Sequence, residues 1–359
     1  TVYGIATLCS SLTLIWLGKK IDELKLLNYS LLVISLLFLS AIFFSFINSI
    51  IFLLIGIFIL RLSGQGLMAH TATTTVSRYF KKTRGRALGI TWLGMSLGEF
   101  LLPILVVFLL SIIDWRDIWV QIGILVLLTL PIFSYLTIKD VSIFSRESDT
   151  ENYKKDKLLI KSWKRQEVLK DLKFYSLLPS TLACPFIITG IVINQSFITE
   201  SKGWGEYTIA QSFMVYSIFT VLTLFVSGFL VDKFTSRKIL PYLNIPMFFG
   251  LAVLIFFNHS YSAFLFMGLL GITNGLTNVL LSSLWAEIYG VNYIGSIKAL
   301  TGSLMVFSTA LGTAVFGFLI DFGYSIEAIA SFCSIYILIS LSINIVFWKK
   351  YNPIYQKMT

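Results

Sequence analysis

The sequence predicts an all-helical integral membrane protein of many spans, and three observations carry the prediction. Hydrophobic residues make up 56% of the 359, charged residues only 13%, and Phe alone occurs 31 times. A soluble domain cannot cover that much apolar surface with so few charges. The apolar stretches recur at about the 20-residue length that crosses a bilayer, and they are too long and too uniform for alternating barrel strands. The cations, finally, collect on one side of the spans.

Eleven spans are expected, in order 1–18, 27–47, 50–76, 87–112, 117–138, 174–199, 207–231, 237–257, 262–287, 297–320 and 325–348. The formal net charge of +10 is a topology signal rather than a nucleic-acid footprint. Of the 28 Lys and Arg residues, only Arg116 and Lys202 fall in the loops of one side, and Arg61 lies inside a span. The rest, Lys298 among them, are assigned to the other side, which the positive-inside rule makes cytoplasmic, with the C-terminus. Residue 1 is Thr, begins directly in apolar sequence and has no charged signal-peptide region; one further span entering from the cytoplasm is expected before it. Cys9, Cys184 and Cys333 lie far apart in apolar spans and are read as packing residues, with no disulfide or metal site.

Three domains of sequence follow: an N-terminal half over 1–138, a polar cytoplasmic linker over 139–173, and a C-terminal half with a short tail over 174–359. Within the linker, "KLLIKSWKRQEVLKDLKF" is expected to form a basic helix at the headgroup level, with Leu159, Trp163 and Leu172 toward the apolar side. The halves echo each other at one offset: Gly18, Asp22, Tyr79 and Gly85 recur as Gly228, Asp232, Tyr289 and Gly295. All four pairs fall at cytoplasmic span ends, as parallel repeats of a transporter would place them.

The stretch "GFLVDKFTSRK" (Gly228 to Lys238) resembles the signature loop of the major facilitator superfamily, a glycine, an aspartate four residues later, then Lys233, Arg237 and Lys238. "RLSGQGLMAHTATTTVSRYFKKTRGRALGI" is similar to that family's fourth span and the following loop, and "WAEIYGVNYIGSIKAL" to its tenth-to-eleventh connection, particularly in bacterial members distantly like monocarboxylate and oxalate–formate carriers. The resemblance covers the chain and implies a bundle of two pseudo-symmetric six-helix halves, with the family's first span not represented. It implies a secondary carrier in a bacterial inner membrane, monomeric and working by alternating access.

Physical reasons accompany the implied gating residues. Gly228 permits close helix approach, and Asp232 at a span end can meet the positive N-terminus of a helix from the other half. By the family pattern that partner is the start of span 87–112, near Arg84 to Ala87 and including Arg86, while Asp22, preceded by Gly18, faces the start of span 297–320 near Gly295. The alternative is that these residues merely anchor loops. The first copy departs from the pattern, with Glu23 after Asp22 and Leu27 where the second copy has Arg237.

Charge inside the membrane is costly unless it faces partners or water. Arg61 stands about eleven residues into its span, and the family's cavity-lining helix would present it to an anionic substrate, where its planar fork suits a carboxylate. Glu99, at similar depth on the next span, is the alternative partner of a structural pair and the candidate proton carrier. Gln65 at i+4 shares the Arg61 face, whereas His70 at i+9 lies opposite; His70 is either a proton relay or a packing histidine bonded to a neighbouring hydroxyl. Asn194, Gln195, Asn274 and Asn278 are candidate substrate-binding groups in the second half or interhelical hydrogen-bonders, and Trp92 is a candidate aromatic wall or a core residue. Gly98 is followed by Glu99, not by the proline of the drug-export members. No phosphate-binding loop, metal-ligand cluster or nucleophile–base pair marks an enzyme or a cofactor site. The expected partners are a small anionic solute, protons and the bilayer, with no nucleic acid; efflux of small hydrophobic compounds and a transporter-like receptor or sensor are the alternatives.

Overall fold

The computed structural model describes residues 2–138 and 158–357. Eleven long helices run through them: α1 (Val2–Gly18), α2 (Leu26–Ser45), α3 (Ile50–Tyr79), α4 (Arg84–Leu110), α5 (Trp115–Ile138), α6 (Leu172–Ile193), α7 (Glu206–Phe234), α8 (Ile245–Phe256), α9 (Ser260–Tyr289), α10 (Ile294–Asp321) and α11 (Ile326–Phe347). Among the described residues, nine helical segments are long and apolar enough to cross a membrane; α1, at 17 residues, and α4 are the two of the eleven outside that set.

Local sequence explains the interruptions. Within α3, Arg61–Met68 winds as a π-helix between two α-helical stretches. That segment reads "RLSGQGLM", and its two glycines lower the cost of the wider turn; such insertions recur at functional sites. α6 stops at Asn194 (φ −102°, ψ 24°), and a separate turn of helix, Gln195–Ser201, carries the chain on. α7 ends at Thr235, which adopts φ 70°, an uncommon conformation for a β-branched residue.

Apolar side chains divide between packing and lipid. In the second half, Phe266, Leu270, Ile187, Ile329 and Phe316 are buried together, and at the end that carries Asp22 and Asp232 a second cluster gathers Leu88, Leu177, Leu284, Trp285, Tyr289 and Tyr351. By contrast, α5 turns Leu125, Leu128, Phe133 and Leu136 outward, each more than 60% exposed. In a bilayer such a face costs nothing, because lipid is as apolar as leucine.

The linker departs from the expected basic helix. Leu158–Ile160 (β1) pairs antiparallel with Tyr355–Lys357 (β2) at the C-terminus, and only Arg165–Val168 forms a helical turn before α6. Hydrogen bonds to distant backbone win over local periodicity: Lys161 N–H donates to the Ile354 carbonyl and Trp163 N–H to the Tyr289 carbonyl. Leu159 lies on the strand, and Trp163 packs edge-on against Tyr289 in the core. Glu167 then accepts from the Lys164 N–H at 2.7 Å, a bond that with Lys161 holds its carboxyl below the usual range. The pair of three-residue strands is the one departure from an all-helical fold among the described residues.

Candidate functional site

The two halves meet along two helix pairs, α1 against α10 and α4 against α7. The offset of the repeat relates these pairs, since it carries α1 onto α7 and α4 onto α10. At the end bearing most of the loop cations, called here the basic end, each pair is closed in the same way.

Asp232, at the end of α7, accepts hydrogen bonds from the Gly85 N–H (2.6 Å) and the Arg86 N–H (3.2 Å), the exposed first turn of α4. Arg86 Nε adds a third bond at 3.0 Å. Asp22, after α1, accepts from the Gly295 N–H (3.0 Å) and the Ser296 N–H (2.6 Å) at the start of α10. Each carboxylate thus caps a helix of the opposite half, supplying acceptors to N–H groups that lack an intrahelical partner and meeting the positive end of the dipole. Glycine is required at both contacts. A Cβ on Gly85 would stand 2.3 Å from the Gly228 carbonyl oxygen, and one on Gly295 2.1 Å from Ile21 Cγ2. Gly228 and Gly18 serve the same close approach, a Cβ on Gly18 standing 2.6 Å from that of Ala299.

The first copy, which lacks the loop cations of the second, is nevertheless the more buried. Arg78, from the end of α3, donates from Nη2 to Asp22 Oδ1 and from Nη1 to the Ile21 carbonyl. The Asp22 side chain is 7% exposed, against 13% for Asp232. Burial pushes the Asp22 carboxyl up, while Arg78 and the two backbone donors pull it down. In the second copy Arg237 turns elsewhere, its backbone N–H and that of Ser236 capped by Glu287 and its guanidinium on Asn352. Lys233 and Lys238 are exposed, and Arg84 donates to the Phe80 carbonyl.

Deeper between the halves, Arg61, Gln65 and Gly66 on α3 face Ser10, Ser11 and Leu14 on α1 and Val306 on α10 around a cavity of about 10 Å³. That is room for about one water molecule, so the polar groups are gathered but closed upon each other. Ser303 on α10 donates to the Ser11 carbonyl at 2.6 Å beside it. Glu99 lies on α4, but its side chain is outside the described residues.

The remaining sequence candidates fall elsewhere. His70 Nε2 lies 2.9 Å from the Gly18 carbonyl, which can only accept, so Nε2 carries the proton and Nδ1 faces the Thr74 hydroxyl at 3.5 Å. This is the geometry of a packing histidine that ties α3 to the end of α1. Trp92 Nε1 donates across the halves to Ser282 Oγ at 3.2 Å and packs against the core. Asn194 donates back to the Gly190 carbonyl of its own helix. Gln195 lines a different cavity, of about 460 Å³, with Ser196, Thr199, Glu200, Trp204 and Ile209. Asn274 and Asn278 are half-buried on α9 and do not line the Arg61 cavity.

Two cations assigned to loops from the sequence are instead buried. Lys202 is enclosed between Glu327 (2.7 Å) and Asn258 Oδ1 (2.8 Å) at the end away from the aspartates. Lys298 is 7% exposed inside α10. Neither burial is written in the neighbouring sequence, because the covering groups come from other helices.

Comparison with known proteins agrees with this architecture. No curated protein matches. Among solved structures, the human organic anion transporter MFSD10 (TETRAN) is similar with a TM-score of 0.74 and 13% identity, over 96% of this chain and 82% of that one. A bacterial homologue of the iron transporter ferroportin, in an outward-facing state with soaked iron, is similar with a TM-score of 0.70 and 14% identity, over 97% and 89%. The model of the Major Facilitator Superfamily matches residues 1–313 and, in a second match, 177–354. With that match across most of its length, and with its fold, the chain belongs to the Major Facilitator Superfamily.

Proposed function

We propose that the chain is a secondary carrier that moves a small organic anion by alternating access, with the basic end cytoplasmic. The observation that carries this reading is the reciprocal capping at that end. Asp22 and Asp232 each hold a helix of the other half, so the bonds break when the halves rock apart. A single-sided anchor would not connect them. Arg61 and Gln65, on the π-wound part of α3, supply the anion-binding groups, with the Ser10 and Ser11 segment of α1 opposite. A guanidinium fork recognises carboxylate, and the cavity must widen to admit one. The similarity to an organic anion transporter supports the substrate class. Proton coupling through Glu99 completes the proposal: a proton there as substrate claims Arg61 would make the movement a symport.

Uptake of labelled small carboxylates into proteoliposomes, with and without an inward proton gradient, tests it. Saturable uptake that the gradient stimulates, and that Arg61→Lys weakens through KM, is the expected result. No uptake of any carboxylate by folded protein would overturn the substrate class, and saturable binding without movement would make the chain a sensor.

A further inference from the structure

The buried amine of Lys298 stands where four helices from both halves converge. It lies one turn beyond the Gly295 and Ser296 cap, and its Nζ donates to Ser77 Oγ on α3 (3.0 Å) and to the Ser282 carbonyl on α9 (3.2 Å). Ser77 Oγ is itself 2.8 Å from the Ser282 carbonyl, and Ser282 Oγ accepts from Trp92 of α4. The amine is therefore part of a polar tie between the first half (α3, α4) and the second (α9, α10).

Its acceptors are two, and both are neutral. A neutral amine has two N–H groups and matches them; an ammonium has a third, which meets no acceptor among the described residues. The nearby carboxylates are engaged with other groups: Asp22 with Arg78, Asp232 with Arg86, and Glu287 with Arg237 and Ser283. Other charged or titratable groups on the packed elements include His70 and Tyr79 on α3, Arg84 on α4, Lys173, Tyr175 and Cys184 on α6, Tyr289 on α9, Lys19 and Lys20 after α1, and Arg165 and Glu167 of the linker. The repeat offers no copy, since it places Leu88 opposite Lys298 and Glu287 opposite Ser77. A buried ion without a counter-ion is costly, and the cost vanishes when water reaches it.

We propose that Lys298 makes closure of the basic end depend on the pH of that side. Uncharged, the amine ties α3, α9 and α10 together. On taking a proton from water it favours the separated halves, where the ammonium is hydrated, and it returns that proton to the same side before closure. The inference rests on the carrier reading only in requiring that this end opens, and it is independent of the substrate.

The test uses the full chain in inside-out vesicles, with Cys9, Cys184 and Cys333 changed to Ala and Ser303→Cys as reporter, a position 3% exposed at the α1–α10 contact. An impermeant maleimide is added from the basic side. Labelling, divided at each pH by that of a freely accessible cysteine peptide to remove the change in thiolate fraction, is expected to rise about tenfold between about pH 8.5 and about pH 6, to be slow and pH-independent in Lys298→Met, and to be fast at every pH in Lys298→Arg, whose charge is permanent. A His70→Gln variant keeps the dependence. The same pH profile in Lys298→Met, or its loss in His70→Gln alone, would overturn the assignment to Lys298. Fast, pH-independent labelling in Asp232→Asn beside a flat parental profile would reject the lysine while leaving the carrier reading standing. Absence of labelling in every variant would reject both.

Discussion

Replacing Asp22 with Asn should open the basic end more than the same change at Asp232, although the first copy of the loop motif is the less complete. At Asp22 the amide retains one oxygen for one of the two N–H groups of α10, so one charge-assisted bond is lost, worth about 1.5–3 kcal/mol. Arg78 also loses its carboxylate. Breaking a buried pair costs about 3–5 kcal/mol, and the 20% exposure of Arg78 reduces that to about 2, since water can approach. With overlap between the two effects, about 3 kcal/mol is a fair total, which biases the closed–open equilibrium by about 100-fold. At Asp232 the cation is Arg86, half exposed at 49%, which returns to water at little cost. About 1.5 kcal/mol remains there, or about tenfold. The readout is maleimide labelling of Ser303→Cys from the basic side in each background. Labelling of Asp22→Asn equal to or slower than that of Asp232→Asn would refute the reasoning, because it would mean that Arg78 contributes nothing to closure.

Further expectations concern packing. Gly312→Ala would put a Cβ 2.1 Å from the Phe186 carbonyl oxygen, forcing α6 and α10 apart; a loss of about 2 kcal/mol and a clear fall in Tm in detergent are expected, whereas Gly317→Ala, with nothing within 4 Å, should leave Tm unchanged or slightly raised. Glu327→Gln leaves the fully enclosed Lys202 ammonium with Asn258 as its neutral partner. Because Glu327 is 38% exposed, the expected cost is about 2 kcal/mol rather than the full value for a buried pair, again read as Tm, and Lys202→Met with Glu327→Gln should recover part of it.

The helices were legible because burial in lipid needs only length and apolarity, both of which are local. The caps were legible for a different reason: Gly18 to Asp22 and Gly228 to Asp232 are copies, and a repeat relates positions across 210 residues that local patterns cannot. What escaped the sequence depended on single contacts between unlike elements. Arg78 belongs to α3 by sequence and to Asp22 by structure; Lys298 adjoins a loop by sequence and is covered by Ser77 and Ser282. The linker reads as a helix because "KLLIKSW" satisfies helical spacing, while its strand partner stands about 200 residues downstream. Asn194 and Gln195, about 100° apart on a continuous helix, allow at most one of them to point at the cavity; the helix in fact breaks at Asn194, and Gln195 lines another cavity.

The pairing of β1 with β2 has a practical side. The last residues of a chain are the usual place to truncate or to attach an affinity tag. Here Ile354 to Lys357 hold the segment that leads into α6, with Lys161 N–H on the Ile354 carbonyl, and through Trp163 that segment is fastened to the end of α9. Removing the tail would release the entry to the second half and leave backbone groups of the linker without acceptors. A purification handle should therefore leave Ile354 to Lys357 in place, so that the strand is not replaced.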